Sequence, residues 1–427
     1  MKGGIVMLTK APRGTKDILP QESSKWHALE ETAKKISNLY GFNEVRFPIF
    51  EHTELFTRSV GETSDIVSKE MYTFTDRGDR SLTLRPEGTA PAARLYVEHK
   101  LFNEPQPVKY YYIGPMFRYD RPQAGRYRQF HQFGVEVFGS LEPETDVEVM
   151  KLLLDYFEAL GLSGLELKLN SVGCKECRQK YLNELSNYFE GKIDHICQDC
   201  YQRYQTNPMR VLDCKKKSCR EAIGEDVPLI VNYLCQDCAT HFDKVKEILT
   251  SLNLPYQIDP HLVRGLDYYT KTAFEVVMPS LGAQDALGGG GRYDYLVEEC
   301  GGPPTPGVGF AVGLERILLA LEQKEINLDQ EEKLDFYFIA TGEEAKQEAF
   351  KLLATVREEG YSAVMDFERR SMRAQMKRAN KANARFSLIL GEAELNEQTC
   401  QIKDMEAGEQ FQVPLKSFEE RIKEIAG

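Results

Sequence analysis

Eight of the ten cysteines in this 427-residue chain fall between Cys174 and Cys238, and that confinement limits what the chain can fold into. A block with its own sulfur chemistry interrupts two stretches of similar texture. Before it, helical segments alternate with extended runs rich in aromatic and β-branched residues, such as Val108 to Tyr112 and Phe130 to Phe138. After it come extended segments and glycine-rich turns, with Gly288 to Gly291 in a row and Gly307, Gly309 and Gly313 close behind. The simplest organisation is an α+β core formed by residues 1–169 and 261–321, split by an inserted cysteine-rich helical subdomain at 170–260. A polar stretch at 322–333 without apolar periodicity reads as a linker. Residues 334–427 then follow a strand–helix–strand–helix–strand order, which predicts a small α/β domain with parallel strands.

Charge and hydropathy narrow the function classes. The 54 basic and 66 acidic residues leave a net charge of −12, so the molecule as a whole repels polyanions and any nucleic-acid contact needs local patches. The apolar run Ile5 to Leu8 is too short for a signal-peptide core. No segment approaches the roughly 20 apolar residues that span a bilayer. A cytoplasmic protein without a membrane partner is expected, and in that setting the cysteines favour thiol or metal chemistry over disulfides.

Three CxxC pairs, Cys174/Cys177, Cys197/Cys200 and Cys235/Cys238, are joined by Cys214/Cys219. Such pairs each span two corners of a thiolate tetrahedron, so two structural zinc sites are arithmetically possible. Cys174, Cys177, Cys197 and Cys200 are the candidate ligands; reduced thiols are the alternative, since spacing does not show which pairs meet.

Elsewhere the chemistry gathers in a few motifs. Arg118, Arg121, Arg126 and Arg128 lie within eleven residues between two expected strands, where a hairpin would display guanidinium forks suited to phosphates. A solvated surface hairpin is the bland alternative. On the second strand the period of two puts Gln132, Gly134 and Glu136 on one face and His131, Phe133, Val135 and Val137 on the other. The first set describes the floor of a polar pocket and the second a core face. The run RPEGT sets Glu87, Gly88 and Thr89 before an alanine-rich helix, with Thr89 as expected N-cap, and capping alone accounts for about half of that signal. In LVRGLDYY, Arg264 precedes Tyr268 and Tyr269, which on a strand would point to opposite faces. The glycine run at 288–291 has no following Lys-Ser or Lys-Thr and suits close backbone approach rather than a P-loop. GVGFAVGLER predicts a small-residue strand entering a helix with Arg316 in its first turns. From Arg369 to Arg385 seven basic residues occur without an acidic one. Met372, Met376 and Ala379 are expected to face the core, leaving Arg370, Arg373, Lys377 and Lys381 as a stripe for a polyanion, or simply a solvated face.

In this order the motifs RGTKDILP, RPEGTA, FR…RP…GRYRQFHQ, LVRGLDYY, GGGGRYD and GFAVGLER resemble those of histidyl-tRNA synthetases of the bacterial type, within the class II aminoacyl-tRNA synthetases. The resemblance implies an antiparallel-sheet catalytic core and makes the last hundred residues an anticodon-binding domain. It implies ligation of L-histidine to tRNA(His) through histidyl-adenylate, with ATP and Mg²⁺, by a homodimer built through the stretch around Pro48. By matching motif, Glu87, Thr89 and Gln132 would hold the α-ammonium and Glu136 and Tyr269 would read the imidazole, with Gly88 and Tyr268 also in the histidine site. Arg118 would grip the α-phosphate and substrate carboxylate, Arg126 the terminal phosphates, and Arg316 the ATP. Arg264 would stabilise charge on the α-phosphate. Arg121, Arg373 and Lys377 would meet tRNA. Asp120 departs from the pattern, standing where a glutamate is usual. The alternative function is a synthetase-like regulatory subunit of histidine biosynthesis, a type that lacks an anticodon-binding domain.

Overall fold

The computed structural model describes residues 9–61, 64–212, 214, 216–263, 265–328, 333–368 and 370–426. They form two compact units, 1–329 and 330–427.

The first unit is organised around an eight-stranded sheet in the order Asn43–Glu44, Val108–Phe117, Gln129–Phe138, Gly307–Gly313, Ala286–Arg292, Thr270–Val277, Glu166–Ser171 and Gln257–Ile258. The six long strands are antiparallel to their neighbours, and only the two-residue edge strands pair in parallel. One face carries Phe133, Val135, Phe274, Val276, Val308 and Phe310, packed against Trp26 and Leu29 of helix Pro20–Leu39 and Leu153, Tyr156 and Phe157 of helix Pro143–Ala159. This is the core face anticipated for Phe133 and Val135. His131, expected to share it, is instead half-buried, with Nδ1 3.0 Å from Glu315 and its ring edge-on to Trp26. A ring with two polar nitrogens settles at the rim, where a carboxylate can partner it.

A glycine run lies in the middle of this sheet because two strands on either side leave no room for side chains. A Cβ on Gly290 would collide with the Gly309 carbonyl and Phe310 Cα of the neighbouring strand.

The cysteine-rich block is joined to the sheet at both ends. Helix Lys175–Glu190 follows strand Glu166–Ser171, and helix Gln236–Ser251 packs Phe242, Val245 and Leu249 into the core beneath the sheet. Within the polar stretch 322–333, Ile326 and Leu328 also pack on that core.

A buried ion pair ties these parts together. Asp146 Oδ1 lies 2.6 Å from Arg292 Nε, both side chains fully buried. Asp146 Oδ2 accepts the Thr272 hydroxyl at 2.5 Å and lies 2.7 Å from His241 Nε2, while Arg292 donates to the carbonyls of Ser140 and Glu142. Removing one partner of such a pair strands a buried charge, typically at a cost of about 3–5 kcal/mol.

The second unit carries a five-stranded sheet in the order Ala363–Met365, Leu334–Ala340, Ala384–Leu390, Thr399–Asp404 and Gln410–Pro414. The first three strands are parallel, as the strand–helix alternation predicts. The last two, Thr399–Asp404 and Gln410–Pro414, lie beyond that alternation; they are antiparallel and joined by a short turn rather than a crossover helix. Helix Met372–Lys381 turns Ala379 and Gln375 inward. Met372 is exposed, against expectation, because it occupies the first helical position, beyond the sheet's edge contacts. Gln375 replaces it, donating to the Ala340 carbonyl and accepting the Ala340 N–H.

Candidate active site

A cavity of about 450 Å³ opens on the other face of the large sheet. Its wall includes Glu87, Thr89, Arg118, Arg126, Gln132, Tyr268, Tyr269 and Arg316, so eight of the residues singled out by sequence converge on one space. Gly88 lies just outside it, packed on the Tyr112 ring. Arg121 does not line it and is exposed, its backbone N–H donating to Asp120 Oδ1. Arg264 lies outside the described residues, as does Arg369 of the basic stretch.

The deepest layer is built on strand Gln129–Phe138. Gln132 lines the cavity, and its Oε1 is buried without a hydrogen-bond partner among the described residues, an acceptor left with capacity for one more donor. Two residues along, Glu136 is fully buried directly behind the lining. Its carboxylate accepts the Thr89 hydroxyl at 2.7 Å and the Tyr112 hydroxyl at 3.2 Å on Oε1, and the Tyr293 hydroxyl on Oε2. Burial pushes the Glu136 carboxyl up to about 8, the hydroxyl bonds from Tyr293 and Thr89 acting against it and the Glu87 charge adding to it. The phenols of Tyr112 and Tyr293 are held well above their ordinary value, by burial first and by the Glu136 charge second.

Missing side chains make this cluster possible. A Cβ on Gly88 or Gly134 would overlap the Tyr112 ring, one on Gly307 the Tyr293 ring, and one on Gly309 the Glu136 carboxylate itself. Tyr112 pairs directly with Gly134 across the strands, so the ring lies over the glycine and its hydroxyl reaches Glu136. Sequence reasoning missed Tyr112 and Tyr293. An aromatic residue facing a glycine in an antiparallel register was the available signal for the first; the tyrosine of GGGGRYD marked the second.

Glu87 shows how a carboxylate is kept ready in an apolar setting. Its two oxygens accept the backbone N–H groups of Thr89 at 2.7 Å and Ala90 at 2.9 Å. Glu87, not Thr89, therefore caps helix Thr89–Glu98; Thr89 is the first helical residue and spends its hydroxyl on Glu136. Burial raises the Glu87 carboxyl above the usual range, while those N–H bonds and Arg118 oppose the rise.

Both Tyr268 and Tyr269 line the cavity, which corrects the expectation that they face opposite ways. The strand begins only at Thr270, so the strand period does not apply; the two rings stand 4.9 Å apart at a tilt of 46°. The Tyr268 hydroxyl lies 3.5 Å from Glu87 Oε2.

The lining also carries a set of cations. Arg118 Nε donates to the Pro86 carbonyl at 2.7 Å, and burial lowers its pKa while the charges of Glu70 and Glu87 oppose that shift. Arg126 pairs with Asp120 at 2.8 Å, and Arg316, in the first turn of helix Leu314–Gln323, donates to the Ala286 carbonyl at 2.6 Å. Arg203 and Arg210, from the cysteine-rich block, reach the same wall and both contact Asp65 Oδ2, at 2.9 and 2.6 Å. Neither lies in a motif that marks it for selection.

The cysteines assemble differently from the expected quartet Cys174, Cys177, Cys197 and Cys200. Cys174 and Cys177 meet Cys235 and Cys238, while Cys197 and Cys200 meet Cys214 and Cys219. The set Cys174, Cys177, Cys197 and Cys200 is thus split between two tetrads, because the chain returns through helix Gln236–Ser251 to where it left the sheet.

An antiparallel sheet that lines one cavity with buried carboxylates, tyrosines and a set of guanidinium groups is the catalytic architecture of a class II aminoacyl-tRNA synthetase. Residues 14–317 match the histidyl-tRNA synthetase family model and residues 335–425 the anticodon binding domain model. The chain is 54% identical to the histidine–tRNA ligase of Pelotomaculum thermopropionicum, covering 98% of each, and 51% identical to that of Halothermothrix orenii, covering 98% of this chain and 100% of the relative. The crystal structure of apo S. aureus histidyl-tRNA synthetase superposes with a TM-score of 0.83 at 42% identity, over 97% of this chain and 100% of that one. An ATP phosphoribosyltransferase regulatory subunit/histidyl-tRNA synthetase from Bacillus halodurans shares the fold at a TM-score of 0.63 and 22% identity. The chain belongs to the histidyl-tRNA synthetase family.

Proposed function

We propose that the cavity activates L-histidine with ATP and passes it to tRNA(His), and that the residues lining it divide the work. The histidine carboxylate attacks the α-phosphate of ATP, giving histidyl-adenylate and pyrophosphate; a terminal ribose hydroxyl of the tRNA then takes the histidyl group and AMP leaves. The regulatory-subunit alternative has less support, since the chain carries the anticodon-domain match that the regulatory type lacks.

The observation that carries the reading is the Glu136 cluster. A neutral imidazole has one N–H donor and one acceptor nitrogen. Glu136 supplies the acceptor, exchanging one of its three hydroxyl bonds for the ligand's N–H, and the hydroxyl of Tyr269 is assigned to the opposite nitrogen. A site built this way leaves buried polar groups unpaired when an apolar isostere enters and rejects it strongly. Glu87, Thr89 and Gln132 are assigned to the α-ammonium. Arg118 is assigned to the α-phosphate and carboxylate, Arg126 to the terminal phosphates and Arg316 to the nucleotide, with Arg264 as the transition-state cation. Catalysis is then mainly positioning and fixed charge.

Mg²⁺ enters with ATP, and it favours one or two carboxylates alongside phosphate oxygens. Glu275 stands on the cavity wall beside Arg316 and fits that demand. Glu275 would hold the metal, which would neutralise phosphate charge; the orientation of histidine remains with the residues above. Structural zinc in the cysteine-rich block is proposed for the tetrads 174/177/235/238 and 197/200/214/219. A homodimer is proposed through the segment after Pro48, supported by the exposed apolar side chains of Ile49, Phe50 and Phe74. No helix among the described residues is long and apolar enough to cross a membrane, and a cytoplasmic location is proposed.

ATP–pyrophosphate exchange over a panel of amino acids, followed by charging of total tRNA, tests the function. Histidine-dependent exchange with charging is expected; exchange with another amino acid, or none with histidine, would refute it.

A further inference from the structure

Each cysteine tetrad has the form of a tetrathiolate metal site. All four sulfurs of each lie within 4.8 Å of one another. In the first, Cys174 Sγ is 3.5 Å from Cys177 Sγ and 3.9 Å from Cys235 Sγ. A tetrahedron with Zn–S bonds of about 2.3 Å has sulfur–sulfur edges of roughly 3.8 Å, so these spacings need little adjustment. Backbone N–H groups already point at the sulfurs, Cys235 N to Cys177 Sγ at 3.0 Å and Cys197 N to Cys219 Sγ at 3.1 Å, the donors a thiolate cluster needs to spread its negative charge. Cys174, Cys197 and Cys235 each stand immediately before a helix, which places the second cysteine of each pair in its first turn.

Both tetrads connect to the active-site cavity by short, specific routes. Arg178, the residue after Cys177, donates Nη1 to the Asp267 carbonyl at 3.0 Å and Nη2 to the Tyr269 carbonyl. The chain around Gly173 pairs with Lys271 in both directions, at 2.7 and 2.9 Å. The first tetrad therefore grips the segment that carries Tyr268 and Tyr269. The second tetrad holds helix Gln198–Thr206 against the turn Pro208–Val211, and from these come Arg203 and Arg210, paired with Asp65, and Asn207, whose amide donates to Asp267 Oδ1 at 3.0 Å.

We propose that each tetrad binds one Zn²⁺, displacing the thiol protons, and that the two metals act as positioning elements for the wall of the histidine cavity rather than as catalytic ions. With four thiolates there is no open coordination position for substrate. Arg178 is the positioning residue of the first site, Arg203 and Arg210 those of the second. The effect on histidine rests on the reading of the cavity given above; the metal content does not.

The test is made on the full chain purified without chelator. Elemental analysis is expected to find two zinc ions per chain, X-ray absorption to show four sulfurs around each, and Cys238→Ser and Cys214→Ser each to lose one zinc. Stripping with a mercurial reagent and EDTA is expected to raise KM for histidine in pyrophosphate exchange by about tenfold or more, with kcat changed less and zinc alone restoring KM. Arg178→Ala in the zinc-loaded protein is expected to raise the same KM while zinc content stays at two, whereas Arg178→Lys recovers part of the loss. Absent zinc, iron in its place, or freely reacting thiols in the native protein would overturn the metal sites. Unchanged KM on stripping would overturn the positioning role, and that result is distinct from absent histidine-dependent exchange, which would strike the function itself. Because zinc content and sulfur coordination are read on the unaltered chain, misfolding of a cysteine variant does not shield the proposal.

Discussion

The cavity of the first unit and the basic helix of the second handle charge in opposite ways. In the cavity, Glu87 and Glu136 are buried and their protons are held more tightly than in water. On helix Met372–Lys381, Arg373, Lys377 and Lys381 stand in solvent. The rest of the acid-free stretch is partly neutralised by acids outside it: Arg370 and Arg378 meet Asp366 at 2.6 and 3.7 Å, and Arg385 meets Asp335 at 3.2 Å. Reading a small ligand requires desolvated groups fixed in place, where an unmet hydrogen bond is costly. Attracting a phosphate backbone requires mobile exposed cations that act over about a Debye length. The net charge of −12 averages over these two designs and describes neither.

The largest effect that would break this contrast is at Glu136. Glu136→Ala is expected to lower kcat/KM for histidine in pyrophosphate exchange by about 10³-fold or more, roughly 4 kcal/mol, with little change in KM for ATP. Next comes the glycine-thin floor. Gly134→Ala displaces the Tyr112 ring and is expected to cost about 10²-fold in the same assay through misplacement alone. Smaller again, Arg373→Ala with Lys377→Ala is expected to raise KM for tRNA about tenfold at low salt, and the difference should shrink as salt rises, because counterion release drives that contact. The last effect is read in stability rather than in activity. The Glu136 carboxyl titrates near 8 in the folded protein against 4.5 for the ordinary group, so the folded state keeps a proton that the unfolded state loses in between. Thermal melting of the ligand-free protein should therefore fall as pH rises from 4.5 toward 8, and Glu136→Gln should flatten that slope.

What was legible in the sequence depended on whether the information was local. The face shared by Gln132, Gly134 and Glu136 followed from the period of a strand, and the entry of Gly307–Gly313 into the Arg316 helix from a glycine pattern. Tyr112 was missed because its signal, a glycine lying opposite, appears only once the register is set, and register is a tertiary property; Tyr293 stood in the GGGGRYD motif, but its contact with Glu136 joins segments distant in sequence. The Tyr268–Tyr269 reading went astray by two residues of strand boundary. The cysteine pairing was hidden for a related reason, since Cys235 and Cys238 return to Cys174 and Cys177 only through the path of the whole block. Arg203 and Arg210 had no local signal, being ordinary arginines until Asp65 is brought beside them.

The division between the two designs is tested most directly by measuring histidine-dependent pyrophosphate exchange and tRNA(His) charging side by side in the unaltered chain, in Glu136→Gln and in Arg373→Ala/Lys377→Ala. The expected result is that Glu136→Gln loses both activities together, while the double variant keeps exchange and loses charging at limiting tRNA. Near-normal histidine exchange in Glu136→Gln, or equal loss of both activities in the double variant, would contradict it.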